Sequence, residues 1–349
     1  MTLQQFGWCD RFAQAFNAIA PAGFAVGRVL VEQRQRYQLW TENGEVAAVV
    51  SGKFRHEATQ ASDFPAVGDW VVIQPEVVPA LIQAVLPRAS QFARKVAGSQ
   101  TAAQVIAANI DTVFIVCGLD GDFNLRRIER YLTLIWQSGA NPVILLNKID
   151  VCDRLELKLA AVEAIAFGVP VIGLSALQNQ GLEALNPFLL PGKTIALIGS
   201  SGVGKSTLTN QLLGHTAQAT QAVRLDDSRG RHTTTQRQIW QLPSGALLID
   251  TPGLREVQLW STADSVQETF ADIEAIAADC HFRDCHHQQE PGCAVQQALA
   301  AGTLEQHRLA SYQKLQREQA YLAQRQDQHN SKARWKQIHK AMRQHPKRQ

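Results

Sequence analysis

TIALIGSSGVGKSTL, residues 194–208, joins a short apolar run, a glycine-punctuated turn and the start of a helical pattern. Gly199, Ser200, Ser201, Gly202, Val203, Gly204, Lys205 and Ser206 satisfy G-x-x-x-x-G-K-[ST]. The flanking strand TIALI and helix STLTNQLL (206–213) supply the context that this phosphate-loop pattern requires. Glycines let backbone N–H groups turn toward phosphate oxygens, through Thr207 at the helix start. Lys205 neutralises the β- and γ-phosphates, and the Ser206 hydroxyl can ligate Mg²⁺. The loop alone does not choose between ATP and GTP.

Outward from this stretch, strands alternate with helices. DTVFIVCG (111–118) precedes the helical pattern NLRRIERYLTLIWQSG (124–139). PVILLNK (142–148), a helix near 153–167, VPVIGLS (169–175) and a helix near 181–189 follow. This rhythm implies a parallel sheet with helical crossovers. RQIWQL (237–242), Pro243-Ser244-Gly245 and ALLID (246–250) read instead as a hairpin that adds one antiparallel strand. Nearer the N-terminus, FAVGRVLVE, RYQLWT, EVAAVVSG and DWVVIQ form about five short strands over residues 24–86, which suits a small β-barrel such as an OB-fold. The expected fold is multidomain. An N-terminal extension (1–23) precedes an OB-fold β-barrel (24–95), an α/β P-loop domain (96–270) and a helical C-terminal domain (271–349).

Asn147-Lys148-Ile149-Asp150 ends the strand PVILL. A carboxylate at Asp150 can accept hydrogen bonds from guanine N1–H and N2–H₂, a pair that adenine lacks, so such a site discriminates strongly. Lys148 can lay its stem over the base and Asn147 can brace neighbouring loops. After the next strand, Ser175-Ala176-Leu177 places the Ala176 N–H where it can meet guanine O6. Asp250-Thr251-Pro252-Gly253 follows ALLI; Asp250 is suited to hold Mg²⁺ through water, and the Gly253 N–H to sense the γ-phosphate. Among Thr233, Thr234 and Thr235, Thr234 is the first choice to contact Mg²⁺ and γ-phosphate, with Thr233 close behind.

Cys280, Cys285, His287 and Cys293 form C-x₄-C-x-H-x₅-C. Four such ligands suit a closed tetrahedral zinc site, although the spacing also permits incidental reduced cysteines beside a histidine. His281 and His286 rank below His287. From residue 305 onward eleven Lys/Arg stand against three acids, a net +8 on a chain whose total is +3. This basic tail suggests a polyanionic partner. Charged residues are only 19% and hydrophobic residues 45%, which excludes a largely disordered polyelectrolyte. The sequence shows neither an apolar run long enough for a membrane span nor a secretory leader, and six cysteines are too sparse for a disulfide scaffold. A cytoplasmic protein without membrane association is expected, as a monomer.

The order of these motifs is unusual. In ordinary small GTPases the phosphate loop comes first, whereas here the order is G4-G5-G1-G2-G3: 147–150, 175–177, 199–206, the threonines, then 250–253. The chain therefore reads as circularly permuted. With Gly68-Asp69-Trp70-Val71, Val105 to Asp111 and GRHTTT (230–235), it resembles the RsgA/YjeQ family of circularly permuted GTPases that act on the small ribosomal subunit. The matching pieces cover residues 25–295. The resemblance implies an OB-fold, a GTPase domain and a C-terminal domain with one structural Zn²⁺ on Cys280, Cys285, His287 and Cys293. It also implies Mg²⁺ with GTP or GDP, the small subunit and its rRNA as partners, and hydrolysis stimulated by that subunit during late maturation. Leu254 stands where many GTPases place a water-orienting glutamine, so His232 is the candidate to orient water, beside Lys205 and Thr234 as catalytic groups. The competing readings are a P-loop ATPase or kinase, and a nucleic-acid-binding regulator with a vestigial nucleotide site.

Overall fold

The computed structural model describes residues 2–33, 35–95, 103–121, 123–214, 237–250, 270–282, 285–288 and 290–306, with parts of 308–317. Two compact units divide the chain, the first Met1–Lys95 with Ala102–Gln258 and the second Val96–Thr101 with Leu259–Gln349.

In the first unit, β1 (Ala25–Gln33), β2 (Arg36–Thr41), β3 (Gly44–Val50), β4 (Trp70–Gln74) and β5 (Ala80–Val85) pair in the order β1-β2-β3-β5-β4, and β4 returns to β1. That closes a five-stranded barrel with the OB-fold order and leaves its strands no free edge. The alternation expected of a half-buried strand is clear in β2, where Tyr37, Leu39 and Thr41 point inward. Val29, Leu39, Val71, Ile73 and Ile82 fill the interior, and a short helix α2 (Gly52–Glu57) follows β3. The N-terminal residues add to this body. Helix α1 (Asp10–Ile19) and the preceding turn bring Phe6 and Phe12 against Trp70, with Trp8 and Phe16 beside them.

The α/β part has strand order β10-β9-β8-β11-β13-β12. These are β8 (Thr112–Gly118), β9 (Asn141–Asn147), β10 (Val171–Leu174), β11 (Thr194–Ile198), β12 (Arg237–Gln241) and β13 (Leu247–Asp250). The first five in that order run parallel, and β12 is antiparallel to β13 across the Pro243-Ser244-Gly245 turn. β8 and β9 are buried along nearly their whole length, as parallel strands covered on both faces must be. Helices α3 (Leu125–Ser138), α4 (Leu155–Glu163) and α5 (Lys205–Leu213) make the crossovers. The helix expected near 181–189 is a 3₁₀ helix, Leu182–Phe188, with Pro187 inside it. A separate two-stranded ribbon pairs β6 (Gln91–Lys95) with β7 (Ala103–Ala108).

Barrel and α/β sheet are one continuous ladder. The first half of β1 closes the barrel on β4, while Val31 and Glu32 in its second half pair with Gln238 and Arg237 of β12. Where the two parts meet, Arg28 is buried, 1% exposed. Its Nε donates to the Gly68 carbonyl at 3.3 Å and its Nη2 to the Asn109 carbonyl at 3.2 Å and to Thr194 Oγ1 at 2.8 Å. Its Nη1 donates to the Phe6 carbonyl. Burial pulls its pKa down to about 10, opposed by the nearby Asp111 and Asp69. One guanidinium thus ties the N-terminal segment, the barrel, the β7–β8 junction and the base of β11. Replacing Arg28 with Met should cost about 3–5 kcal/mol, because several buried acceptors lose their donors together. Urea unfolding would show this as a lowered midpoint. Arg28→Lys should recover only part, since one ammonium cannot span that fan of acceptors.

In the second unit, α6 (Ala271–Ala277) and α7 (Ala294–Ala300) pack with residues near 304–312. Phe270, Ile273, Val295, Leu304 and Tyr312 form the core. Arg308 pairs with both carboxylate oxygens of Asp272, at 2.6 and 2.7 Å, and lies over the Phe270 ring. Among the described residues no helix is long and apolar enough to cross a membrane.

Candidate functional site

The parallel strands all end on one side of the sheet, and the ends of β9, β10, β11 and β13 each carry a motif. Gly118, Asn147 and Leu174 lie in register across β8, β9 and β10, and Ile198 of β11 pairs with Ile115 of β8. Chain connections diverge to opposite sides between β8 and β11, the switch point at which open α/β sheets bind ligands.

Asn147 organises this edge. Its Nδ2 donates to the Val203 carbonyl in the phosphate loop at 2.8 Å, and its Oδ1 accepts from the Ala176 N–H at 2.9 Å. One buried amide therefore joins three loops that are remote in sequence. Ser175 and Ala176 are buried beside it, and the Ser175 hydroxyl accepts from the Gln178 N–H at 3.1 Å. Lys148 adopts the left-handed backbone region (φ 71°), rare for a residue with a side chain, and Ile149 and Asp150 follow in a 3₁₀ turn. Asp150 is exposed, Ile149 and Lys148 half-buried.

The phosphate loop, Gly199 to Ser206, leads from β11 into α5, whose first N–H groups have no partner within the helix. Lys205 is buried; its Nζ donates to the Gly199 carbonyl at 2.8 Å and to the Ser200 carbonyl. Ser201 and Gly202 are exposed, and Ser206 and Thr207 half-buried. Gly204 must be glycine for two reasons. Its φ is +101°, and a Cβ there would stand 2.2 Å from Asn147 Nδ2. Asp250 ends β13, beside the phosphate-loop strand. His232, Thr233, Thr234, Thr235, Thr251, Pro252, Gly253 and Leu254 lie outside the described residues, as does most of the basic tail.

In the second unit Cys280, Cys285, His287 and Cys293 converge, with their ligand atoms within 4.8 Å of one another. Cys280 Sγ is 3.7 Å and Cys293 Sγ 3.6 Å from His287 Nδ1, and the two sulfurs are 3.9 Å apart. A tetrahedron with Zn–S bonds of ~2.3 Å has edges of ~3.8 Å, so the donor set fits zinc. Burial holds the His287 pKa below its ordinary value, which favours the neutral, ligating imidazole. Burial would raise the Cys280 thiol, but hydrogen bonds from the Val295 and Ala294 amides outweigh it and favour thiolate. Gln296 Nε2 donates to the His287 carbonyl at 2.6 Å, and both Glu290 oxygens accept amides, from His286 and Gln288. His281 lies instead against Phe282, and neither it nor His286 belongs to the cluster.

Sequence reasoning missed Asp120 and Arg127. Asp120 Oδ2 lies 2.5 Å from Lys148 Nζ, and Arg127 Nη1 donates to Ser200 Oγ. Neither residue sits in a recurring pattern that would mark it.

The family model for RsgA GTPase matches residues 85–260. A second model, for ABC transporters, matches 182–347, a span that includes the phosphate loop. The "Small ribosomal subunit biogenesis GTPase RsgA" of Opitutus terrae is 49% identical, over 98% of this chain and 97% of its own. "Small ribosomal subunit biogenesis GTPase RsgA 1" of Listeria innocua is 42% identical over 99% of both. Among solved structures, YjeQ from Thermotoga maritima aligns with a TM-score of 0.65 at 26% identity, covering 85% of this chain and 99% of that one. YloQ, described as a circularly permuted GTPase, aligns with a TM-score of 0.61 at 25% identity over 86% and 96%.

Two outcomes test these sites. Gly204→Ala should weaken GDP binding roughly 30-fold or more, from backbone strain plus loss of the Asn147 bond, measured by titration with fluorescent GDP. The purified chain should carry one zinc, and Cys285→Ser should lose it and destabilise the second unit. Metal analysis giving under half an equivalent for the unaltered chain would count against the zinc assignment.

Proposed function

The chain belongs to the RsgA GTPase family, and on that premise we propose that its GTP hydrolysis is coupled to late maturation of the small ribosomal subunit, with the subunit and its rRNA as partners. The reading rests on one observation above others: Asn147 binds the phosphate loop and the Ala176 loop at once. The base-reading and phosphate-binding motifs are thereby held as one site.

In this reading Asp150 reads the guanine N1–H and N2–H₂ edge, the Ala176 N–H exchanges Asn147 Oδ1 for O6, and the Lys148 stem covers the base. Ile149 and Ser175 shape the turns that present these groups. Backbone N–H groups from Gly199 to Thr207 cradle the phosphates, and Lys205 leaves the Gly199 and Ser200 carbonyls to neutralise them. Ser206, Asp250 and Thr234 would hold Mg²⁺, which supplies charge neutralisation between phosphate oxygens. Thr233 and Gly253 complete the γ-phosphate contacts, and His232 orients the attacking water. Cys280, Cys285, His287 and Cys293 would hold one structural zinc, which supplies folding free energy to a small unit with few core residues. The protein acts as a cytoplasmic monomer that meets rRNA through the barrel and the +8 tail. The similarity to proteins named for small-subunit biogenesis supports the partner.

Hydrolysis should be slow alone and faster with small subunits by orders of magnitude, as in partner-assisted GTPases. Single-turnover assays at low and high salt would measure it; high salt should abolish the stimulation by weakening phosphate contacts. Equal rates with and without subunits would overturn the partner. His232→Ala should reduce the stimulated rate far more than GTP affinity, and a normal stimulated rate would remove the histidine's role alone.

A further inference from the structure

The connection between β8 and α3 belongs to none of the nucleotide motifs, yet it touches both ends of the crevice. At its start the Leu119 N–H donates to the Asn147 carbonyl at 2.9 Å. The next residue, Asp120, sets its carboxylate 2.5 Å from Lys148 Nζ. Gly118 makes room for that carboxylate: a Cβ there would lie 2.7 Å from Asp120 Oδ1. Lys158 grips the connection from outside, donating to the Leu119 carbonyl at 2.6 Å and lying 5.3 Å from the centre of the Phe123 ring. At the other end Asn124 caps α3 by accepting from the Arg127 N–H at 3.1 Å. One turn of α3 thereby presents Arg127 to Ser200 Oγ, at the opening of the phosphate loop.

We infer that Asp120 and Arg127 are positioning residues, one for each end of the bound nucleotide. The inference rests on reading this crevice as the guanine-nucleotide site. A lysine covers a base through its stem, which is useful only while its ammonium is held to one side. The left-handed backbone of Lys148 fixes where the stem starts, and Asp120 fixes where it ends. Ser200 leads the turn whose N–H groups face the β- and γ-phosphates. Arg127 anchors that turn from α3 through a side chain, leaving the backbone N–H groups available. Because Asp120 and Arg127 lie seven positions apart on one capped segment, base loop and phosphate loop are tied together independently of the Asn147 side chain.

The two roles predict different ligand profiles. The full chain is tested by displacement of fluorescent GDP with GMP, GDP and GTP. Asp120→Ala should weaken all three by the same factor, about 3- to 10-fold for a partly exposed ion pair, because each carries the same base. Asp120→Asn should recover part of that loss. Arg127→Ala should weaken GDP and GTP by about 10-fold while changing GMP by less than about 2-fold, since GMP lacks the outer phosphates. Affinity ratios among the three ligands do not depend on the folded fraction, so partial misfolding does not mimic these profiles. Unchanged affinities in either variant, or a uniform loss across all three ligands in Arg127→Ala, would overturn the inference. Asp150→Asn serves as the control for the site itself. If it shifts preference from guanine toward xanthine nucleotides while the other variants show no effect, the positioning roles fall and the site stands. If it leaves guanine selectivity unaltered, the base-reading assignment is wrong.

Discussion

A single buried guanidinium sets the frame for the first unit. Arg28 sits on the strand that closes the barrel, and its donors end on Phe6, Gly68, Asn109 and Thr194. Thr194 is the first residue of the strand that terminates in the phosphate loop. Placing an arginine there has an unfavourable solvation cost, visible in its lowered pKa. The compensation is directional: five N–H groups in a plane can satisfy carbonyls from several segments only if those segments keep one arrangement. Asp69 shows the same logic nearby. Burial raises its pKa, and it is held by two hydrogen bonds from Arg88 at 2.9 and 2.8 Å and by the Ala66 N–H.

That frame gives the circular permutation a mechanical consequence. Moving the chain ends leaves the parallel order of the sheet intact, since β11 still lies between β8 and β13. What changes is the covalent route. β13, which ends at Asp250, pairs with β11 on one side and with β12 on the other, and β12 pairs with β1 of the barrel. A shift of the β13 end would therefore be resisted by ladders leading both to the phosphate loop and to the barrel. The same strand leads in sequence toward the second unit.

Much of this was legible because local chemistry was consistent with the final pairing. A strand, a glycine-rich turn and a helix follow one another in 194–213, the Pro-Ser-Gly turn marks the β12–β13 hairpin, and inward alternation marks β2. The Cys/His spacing marked four atoms that do converge. The rest depended on contacts between distant residues. Arg28 reads in FAVGRVLVE as an ordinary polar position, and only the meeting of β1 with β4 and β12 buries it. The aromatic residues of the N-terminal segment gave no sign of packing on Trp70. Asp120 and Arg127 acquire meaning only when the ends of β8, β9 and β11 are side by side.

The two ends of the crevice differ in how far their cations are already committed. In the proposed reading Lys148 stays on Asp120 and Asn147 stays on Val203 when a base binds, and only the Ala176 N–H leaves Asn147 Oδ1 for it. Lys205 is held by carbonyls of its own loop, which in the same reading it exchanges for phosphate oxygens. An exchange of that kind costs little when the incoming oxygens are charged, because charge-assisted bonds are roughly twice as strong as neutral ones. In that reading base recognition is mostly a matter of preformed geometry, with one amide exchanged, and phosphate recognition a matter of replacement. A loop whose lysine changes partners needs its remaining anchors fixed from outside the loop. Arg127 on Ser200 and Asn147 on Val203 supply such anchors from two different elements of the sheet edge.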